Sequence, residues 1–374
     1  MQLSSIQRLL ALTCALVIVG LPVAAADHLD ALLKQADVDI DAGDFHGASI
    51  NLDAVIAQTE KLKTVDAHLP AALMYKAWVA ISYQRLDEAE KLLQEALGYL
   101  TQLPKSHKTV DNEARCQATF GSLKEAQGKY SESEGAYIKS IDLLQGIGDT
   151  DNQAPSYNGL GALYFKMQRY PESEKAHRKA MDLFLVAQGK DSDDYICAVN
   201  NVATALERQK KYDQAVKLSS QALTLAETKY GAKSELLLPI LDNLATAYER
   251  MKQFDLAEET AKKALDLAQE LVGKDAPTLW EYVSSLALMY LDNGKYKLAE
   301  DQLLHSISLL EKLKGDNGDA RSLLYYRLGN CYEATKQEEQ AESYYKKAIA
   351  STTVPKAKKM YGDDLANMLK KTHQ

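Results

Sequence analysis

Cysteine is scarce in this chain, four residues in 374, and no pair forms C-x-x-C. Cys14 lies in an N-terminal apolar run, and Cys116, Cys197 and Cys331 are widely separated. That excludes a disulfide framework and a zinc knuckle, and leaves three small buried side chains as the expectation. Proline (8) and glycine (19) are too sparse for long disordered linkers. Lys and Arg never gather in a block and the net charge is −8, which argues against nucleic acid, whose phosphates need clustered cations. The seven histidines are scattered, and there is no H-E-x-x-H, no G-x-S-x-G and no phosphate-binding glycine loop. No enzyme activity, metal or cofactor is expected from such a sequence. Asp149-Thr150-Asp151 and Asp191-Ser192-Asp193-Asp194 lack the central Gly and closing Glu of a calcium loop, and read as helix-start caps.

Long hydrophobic runs are also missing, with one exception. Leu9 to Leu21 is apolar, follows Arg8, and ends at Pro22 before Ala24-Ala25-Ala26. The run is too short to span a bilayer as a helix, and small residues follow it. Residues 1–26 are therefore expected to be a cleaved secretory signal, with no transmembrane segment after its removal. Cys14 has no small residue before it, so no lipoprotein signal is read. The expected location is exported, either periplasmic or secreted.

What the chain does contain is a repeat. An aromatic closing a "K-Y" or "Q-F" turn recurs at Tyr130, Tyr170, Tyr212, Phe254 and Tyr296, at spacings of 40, 42, 42 and 42. Phe45 and Leu86 fill the slot upstream, and Glu338 downstream. Three residues later comes a small residue: Ala48, Ala89, Ser133, Ser173, Ala215, Ala257, Ala299, Ala341. Another small residue follows seven further on, from Ala96 to Ala348. Eight units tile residues 27–350, each reading as two amphipathic helices. Val199, Val202, Ala203 and Leu206 make one apolar face, and Ala215, Leu218, Ser219 and Ala222 the next. Pro171 suits a first helical turn, Ser131-x-x-Glu134 a capping box, and Gly231 and Gly273 helix stops. The fold class is all-α, and a helix pair that cannot bury its face alone must stack on neighbours.

These residues, with the "A-E-x-x-x-x-x-A-L" phrase, resemble tetratricopeptide repeats. The long period and the phrases "NNVATAL…KKYDQA" and "DNLATAY…KQFDLAEETAKKAL" resemble the repeat domain of kinesin light chains over units four to seven. The resemblance implies a right-handed α-α superhelix, or solenoid. The heptad coiled coil that ties kinesin light chains to their motor is absent, so a motor subunit is not expected. Residues 351–374 break the period. Met360, Tyr361, Leu365, Met368 and Leu369 can form one apolar stripe, which suits a capping helix; a basic membrane-surface helix is the alternative.

On the fifth unit's first helix, Asn201, Thr204 and Arg208 form a polar stripe opposite Val199, Val202 and Leu206. The sixth repeats it as Asn243, Thr246 and Arg250; the fourth keeps Lys166, and the eighth has Arg327 and Asn330. Two readings stand: a solvated face, with Glu207–Lys211 and Glu249–Gln253 as local pairs, or a concave groove. In a groove, Asn could bind both backbone groups of an extended peptide, and Arg or Lys would select acidic residues or a free carboxylate. In the resembling family the matching Asn contacts ligand backbone, a role that falls on Asn201 and Asn243. Tyr164, Tyr248, Tyr290 and Tyr332 share a slot and read as packing between helices. The expected function is a non-catalytic scaffold for a protein or extended peptide. The alternative is a structural, self-associating component of a cell-envelope complex.

Overall fold

The computed structural model describes residues 23–62, 66–315 and 317–372. Most of the expected signal segment, residues 1–22, lies outside them. Among the described residues there are 17 α-helices, short 3-10 turns at 151–153 and 277–279, and no strand. The helices fall into pairs. They are α1 (Val23–Asp41) with α2 (Phe45–Leu62), α3 (His68–Ser82) with α4 (Leu86–Leu100), α5 (His107–Ala126) with α6 (Tyr130–Gly146), and α7 (Ala154–Lys166) with α8 (Tyr170–Gln188). The alternation continues through α9 (Asp193–Arg208) and α10 (Tyr212–Tyr230), α11 (Leu237–Arg250) and α12 (Phe254–Val272), α13 (Trp280–Asp292) and α14 (Tyr296–Leu310), then α15 (Gly318–Ala334) and α16 (Glu338–Ser351). A last helix, α17 (Pro355–Thr372), follows. The described residues divide into two compact units, one up to Ala198 and one from Val199, with the boundary inside α9. Each is a stack of helix pairs in the solenoid manner, described in its own right below.

The turn slot read from the sequence is the first residue of every second helix, from Phe45 to Glu338. Two positions before it, the chain enters the left-handed region in all eight pairs. Glycine does so at Gly43, Gly128 and Gly294, and Gln84, Gln168, Lys210, Lys252 and Lys336 do so at φ 58–63°. The next amide then reaches five residues back, as Lys211 N to Leu206 O (2.9 Å) and Gln253 N to Tyr248 O (2.9 Å). This closes the first helix with a Schellman motif and launches the second. The left-handed geometry gives a paired test. Gly294→Ala is expected to cost about 1 kcal/mol through its positive φ. Gly135→Ala, in the exposed interior of α6, should add a similar amount. Urea midpoints followed by circular dichroism read both signs.

The small residues mark where helices touch. Ala48, Ala89, Ser133, Ser173, Ala299 and Ala341 have no exposed surface at all. Ser133 and Ser173 also donate to the carbonyls of Gly121 and Gly161 on the paired helix, each at 2.8 Å. Leucines fill the remaining core, among them Leu93 and Leu123 in the first unit and Leu303 and Leu328 in the second. Gly231 and Gly273 end their helices at φ 76° and 89°, and Pro171 lies in the first turn of α8.

Three local expectations are corrected. Ser131 and Glu134 make no capping box, because α6 starts one residue earlier at Tyr130 and Lys129 caps it without a side-chain bond. Glu134 instead accepts from Tyr164 Oη (2.7 Å) and Arg169 Nη1 (3.1 Å). The box occurs at Ser106 and Thr109. Cys116 and Cys331 are buried, but Cys197 is exposed, on the outward side of α9. On α17, Tyr361 and Met368 are buried and Leu365 and Leu369 pack on the same core, whereas Met360 faces solvent. Tyr361 stacks on Tyr326 at 4.4 Å between ring centroids, so α17 covers the end of the second unit's core.

Candidate functional site

The second unit offers a cavity of about 480 Å3 on the faces of α11, α13 and α15. Helix α11 buries Leu237, Leu241, Leu244 and Ala245. The other side of the same helix brings Asp242, Thr246, Glu249 and Arg250 to the cavity, spaced to lie on one face. Helix α13 adds Trp280, Ser284 and Ser285, and α15 adds Arg327. Asp242 accepts from Ser285 Oγ at 3.1 Å, and burial pushes its carboxyl above the usual range. Arg327 donates to the hydroxyl and carbonyl of Ser284, and burial draws its guanidinium down from its ordinary value.

Glu249 is the unusual group. It is only 9% exposed, and Oε1 faces Arg250 Nη1 at 3.4 Å. Its Oε2 is buried with no hydrogen-bond partner. Burial raises its pKa first; Arg250 opposes that, and the negative charges of Asp292 and Glu207 add to it. An unmatched buried acceptor of this kind is costly, and natural structures hold few.

The sequence-selected residues divide among several roles. Thr246, Arg250 and Arg327 converge on this cavity. The donor end of Asn243 is already used: Nδ2 donates to Thr204 Oγ1 (2.9 Å) and Asn200 Oδ1 (3.2 Å) in the preceding repeat. Thr204 in turn donates to the Asn200 carbonyl (2.9 Å). The Asn–Thr part of the stripe therefore joins repeats. Asn243→Ala is expected to cost about 1 kcal/mol of stability from these half-buried bonds, read as a lower thermal midpoint. Asn201 is half-buried on α9, and Arg208 Nε lies 3.3 Å from Glu207. Arg250 also lies 3.8 Å from Glu207. In the first unit, Lys166 pairs with Glu125 at 3.4 Å. Asn330 accepts from Tyr345 Oη (2.7 Å) and lines a separate cavity of about 510 Å3 beside α17, with Glu333 and Lys371. Of the tyrosine slot, Tyr290 and Tyr332 are buried, and Tyr332 Oη reaches Glu300 at 3.0 Å, as packing residues do.

Sequence reasoning did not single out Asp242, read Glu249 only as half of a local pair with Gln253, and missed the whole of a first-unit cavity. That cavity is about 570 Å3 and includes Asp37, Asp111, Asp194, Arg115, Tyr75 and Trp78. Arg115 sits over the Tyr75 ring at 4.9 Å, and Asp111 Oδ1 is buried without a partner. These residues are scattered over the first, second, third and fifth repeats. The signal for Glu249 was present, because Glu125, Glu207 and Glu333 share its slot. Among the described residues, no three His, Cys, Asp or Glu stand close enough to hold a metal ion. No helix among them is long and apolar enough to cross a membrane.

With this geometry in place, the family model described as tetratricopeptide repeat matches residues 114–185, 152–215, 194–270 and 277–353. The chain belongs to the tetratricopeptide repeat family. Solved structures agree on the fold of this repeat protein. The apo form of RapI superposes with a TM-score of 0.66 at 12% identity, covering 92% of this chain and 98% of that one. A Rap protein complexed with Competence and Sporulation Factor gives 0.61 at 15% identity, with the same coverage. BtubC (BKLC) from P. vanneervenii gives 0.52 at 18% identity, covering 59% of this chain and 90% of its own. No curated protein matches the sequence significantly.

Proposed function

We propose that this repeat protein is a non-catalytic scaffold that holds an extended segment of a partner protein or a peptide on its second unit. The segment lies over the cavity of α11, α13 and α15. The observation that carries the reading is the convergence there of Thr246, Arg250 and Arg327 with polar groups whose hydrogen-bonding capacity the chain leaves partly unused. Apolar walls with a few directional polar groups are the usual form of a recognition pocket. The likeness to a Rap protein crystallised with a factor is in keeping with this use of the fold. Selection of acidic ligands by Lys166, Arg208 and Arg250 receives less support, because each of them already faces a carboxylate of the chain itself. On the N-terminal signal reading, the proposed encounter belongs to an exported compartment, periplasmic or secreted.

The test is a photo-crosslinking residue at Leu323, an exposed side chain on the cavity rim, compared with one at Leu298, exposed on α14. In the native host, a crosslink to one discrete partner at 323 and none at 298 is the expected result. Equal labelling at the two positions, or none at 323, rules the reading out.

A further inference from the structure

Carboxylates and bases alternate between repeats at the ends of the first helices. The slot holding Glu125, Glu207, Glu249 and Glu333 is followed, one position on, by the slot holding Lys166, Arg208 and Arg250. Glutamate in one repeat faces the base of the next repeat. In the first unit Glu125 meets Lys166 at 3.4 Å. In the second, Glu207 meets Arg250 at 3.8 Å, and Glu333 meets Lys371 of α17 at 3.1 Å. Glu249 should likewise be met from α13. The residue at that place is Asp292. Where the next repeat would supply a cation, it supplies a second carboxylate.

This substitution accounts for the unmatched Oε2 of Glu249. Arg250 reaches only Oε1 and is shared with Glu207. Arg327, which also bears charge near Glu249, is held by Ser284. An ionised Oε2 lacks a donor, and a protonated Glu249 can satisfy itself only by sharing its proton with the Asp292 carboxylate, a bond that raises its pKa. A neutral donor would leave Glu249 and Asp292 repelling one another, whereas a cation offsets both charges.

Resting on the cavity reading above, we propose that the partner segment supplies this cation as a Lys or Arg side chain set between Glu249 and Asp292. Its methylene stem lies along Leu288, one helical turn before Asp292, which lines the same cavity. Long basic side chains bury their stems on apolar surface in this way while the charged end finds its partner.

The experiment is an affinity selection of N-acetylated, C-amidated decapeptides of mixed sequence against the full chain. Glu249→Gln, Asp292→Lys and Leu323→Trp variants are measured on the selected peptides. The selected peptides should share a Lys or Arg at one position, and norleucine there should weaken binding about tenfold or more, as a buried charge-assisted hydrogen bond requires. In Glu249→Gln the same replacement should change binding less than about twofold. Asp292→Lys restores the repeating pair from within and should exclude the basic peptides while raising the thermal midpoint, which shows the chain still folded. Two failures are distinguishable. Acidic or neutral peptides that Leu323→Trp displaces but Glu249→Gln does not affect would overturn the cation and leave the cavity standing. Peptides indifferent to Leu323→Trp, or no selected peptides, overturn the cavity reading and the cation with it.

Discussion

Lowering the pH from 7 to 4.5 is expected to remove about 2–3 kcal/mol of stability through His177 alone. The imidazole on α8 is buried, and Nδ1 lies 2.9 Å from Asn158 Oδ1, to which it donates as a neutral ring. Burial lowers its pKa from 6.5 to about 4. Above pH 6.5 the ring is neutral folded and unfolded, so it contributes no pH dependence. Between 6.5 and about 4, the unfolded chain binds a proton that the folded chain refuses, and stability falls by about 1.4 kcal/mol per pH unit. Below about 4 both states are protonated and the loss stops growing. His177→Gln keeps a hydrogen-bonding side chain without the titration. Urea unfolding of both proteins at pH 7 and 4.5 should show the extra acid loss only in the parent. A ring whose NMR shift titrates near pH 6.5 in the folded protein would refute the assignment. His68 runs the other way. Asp66 (2.6 Å) and Asp30 (2.9 Å) hold it, and the Asp66 bond raises its pKa against burial and Lys108. Its contribution is full below pH 6.5 and fades as pH rises through the raised folded value.

Gly159→Ala is expected to cost about 2 kcal/mol. A Cβ at residue 159 would stand 2.6 Å from Cε1 and 2.8 Å from Cζ of Tyr137, and one at Gly121 would stand 2.9 Å from the same two atoms. Tyr137 is thus wedged between α5 and α7, the first helices of consecutive repeats, with its hydroxyl 2.9 Å from Ser122 Oγ. Neither helix can yield without opening a repeat junction, and overpacking of this kind typically costs about 1–3 kcal/mol. Tyr137→Leu combined with Gly159→Ala should recover part of the loss, because the shorter side chain vacates the ring's place. Thermal midpoints of the two single variants and the double variant form the test. A Gly159→Ala protein as stable as the parent would show that the wedge is loose.

These two residues show where sequence reading ends. Gly159 occupies the position held by Asn201 and Asn243 in later repeats, and from the sequence it reads as a weakened copy of a polar stripe. In the fold it is the receptor for a tyrosine on α6, while Asn243 ties one repeat to the last. One slot thus does two different jobs, and each is set by what the neighbouring helix places opposite. His177 reads as one of seven scattered histidines, because its burial depends on Gly161 leaving room for the ring at the helix crossing.

The sequence by itself determined the repeat, the two helices in each unit, the turn slot that begins every second helix, and the small residues at the crossings. All of these follow from period and size, which are local properties that a stacked helix pair must obey. It also brought Thr246, Arg250 and Arg327 into view. Only the tertiary structure decided which polar groups are already satisfied. A hydrogen bond or an ion pair depends on the residue one repeat away, about 42 positions along the chain, and on whether water can reach it. That is why Asn243 is engaged and every selected base has a carboxylate nearby, while Glu249, facing Asp292, keeps a buried oxygen without a partner.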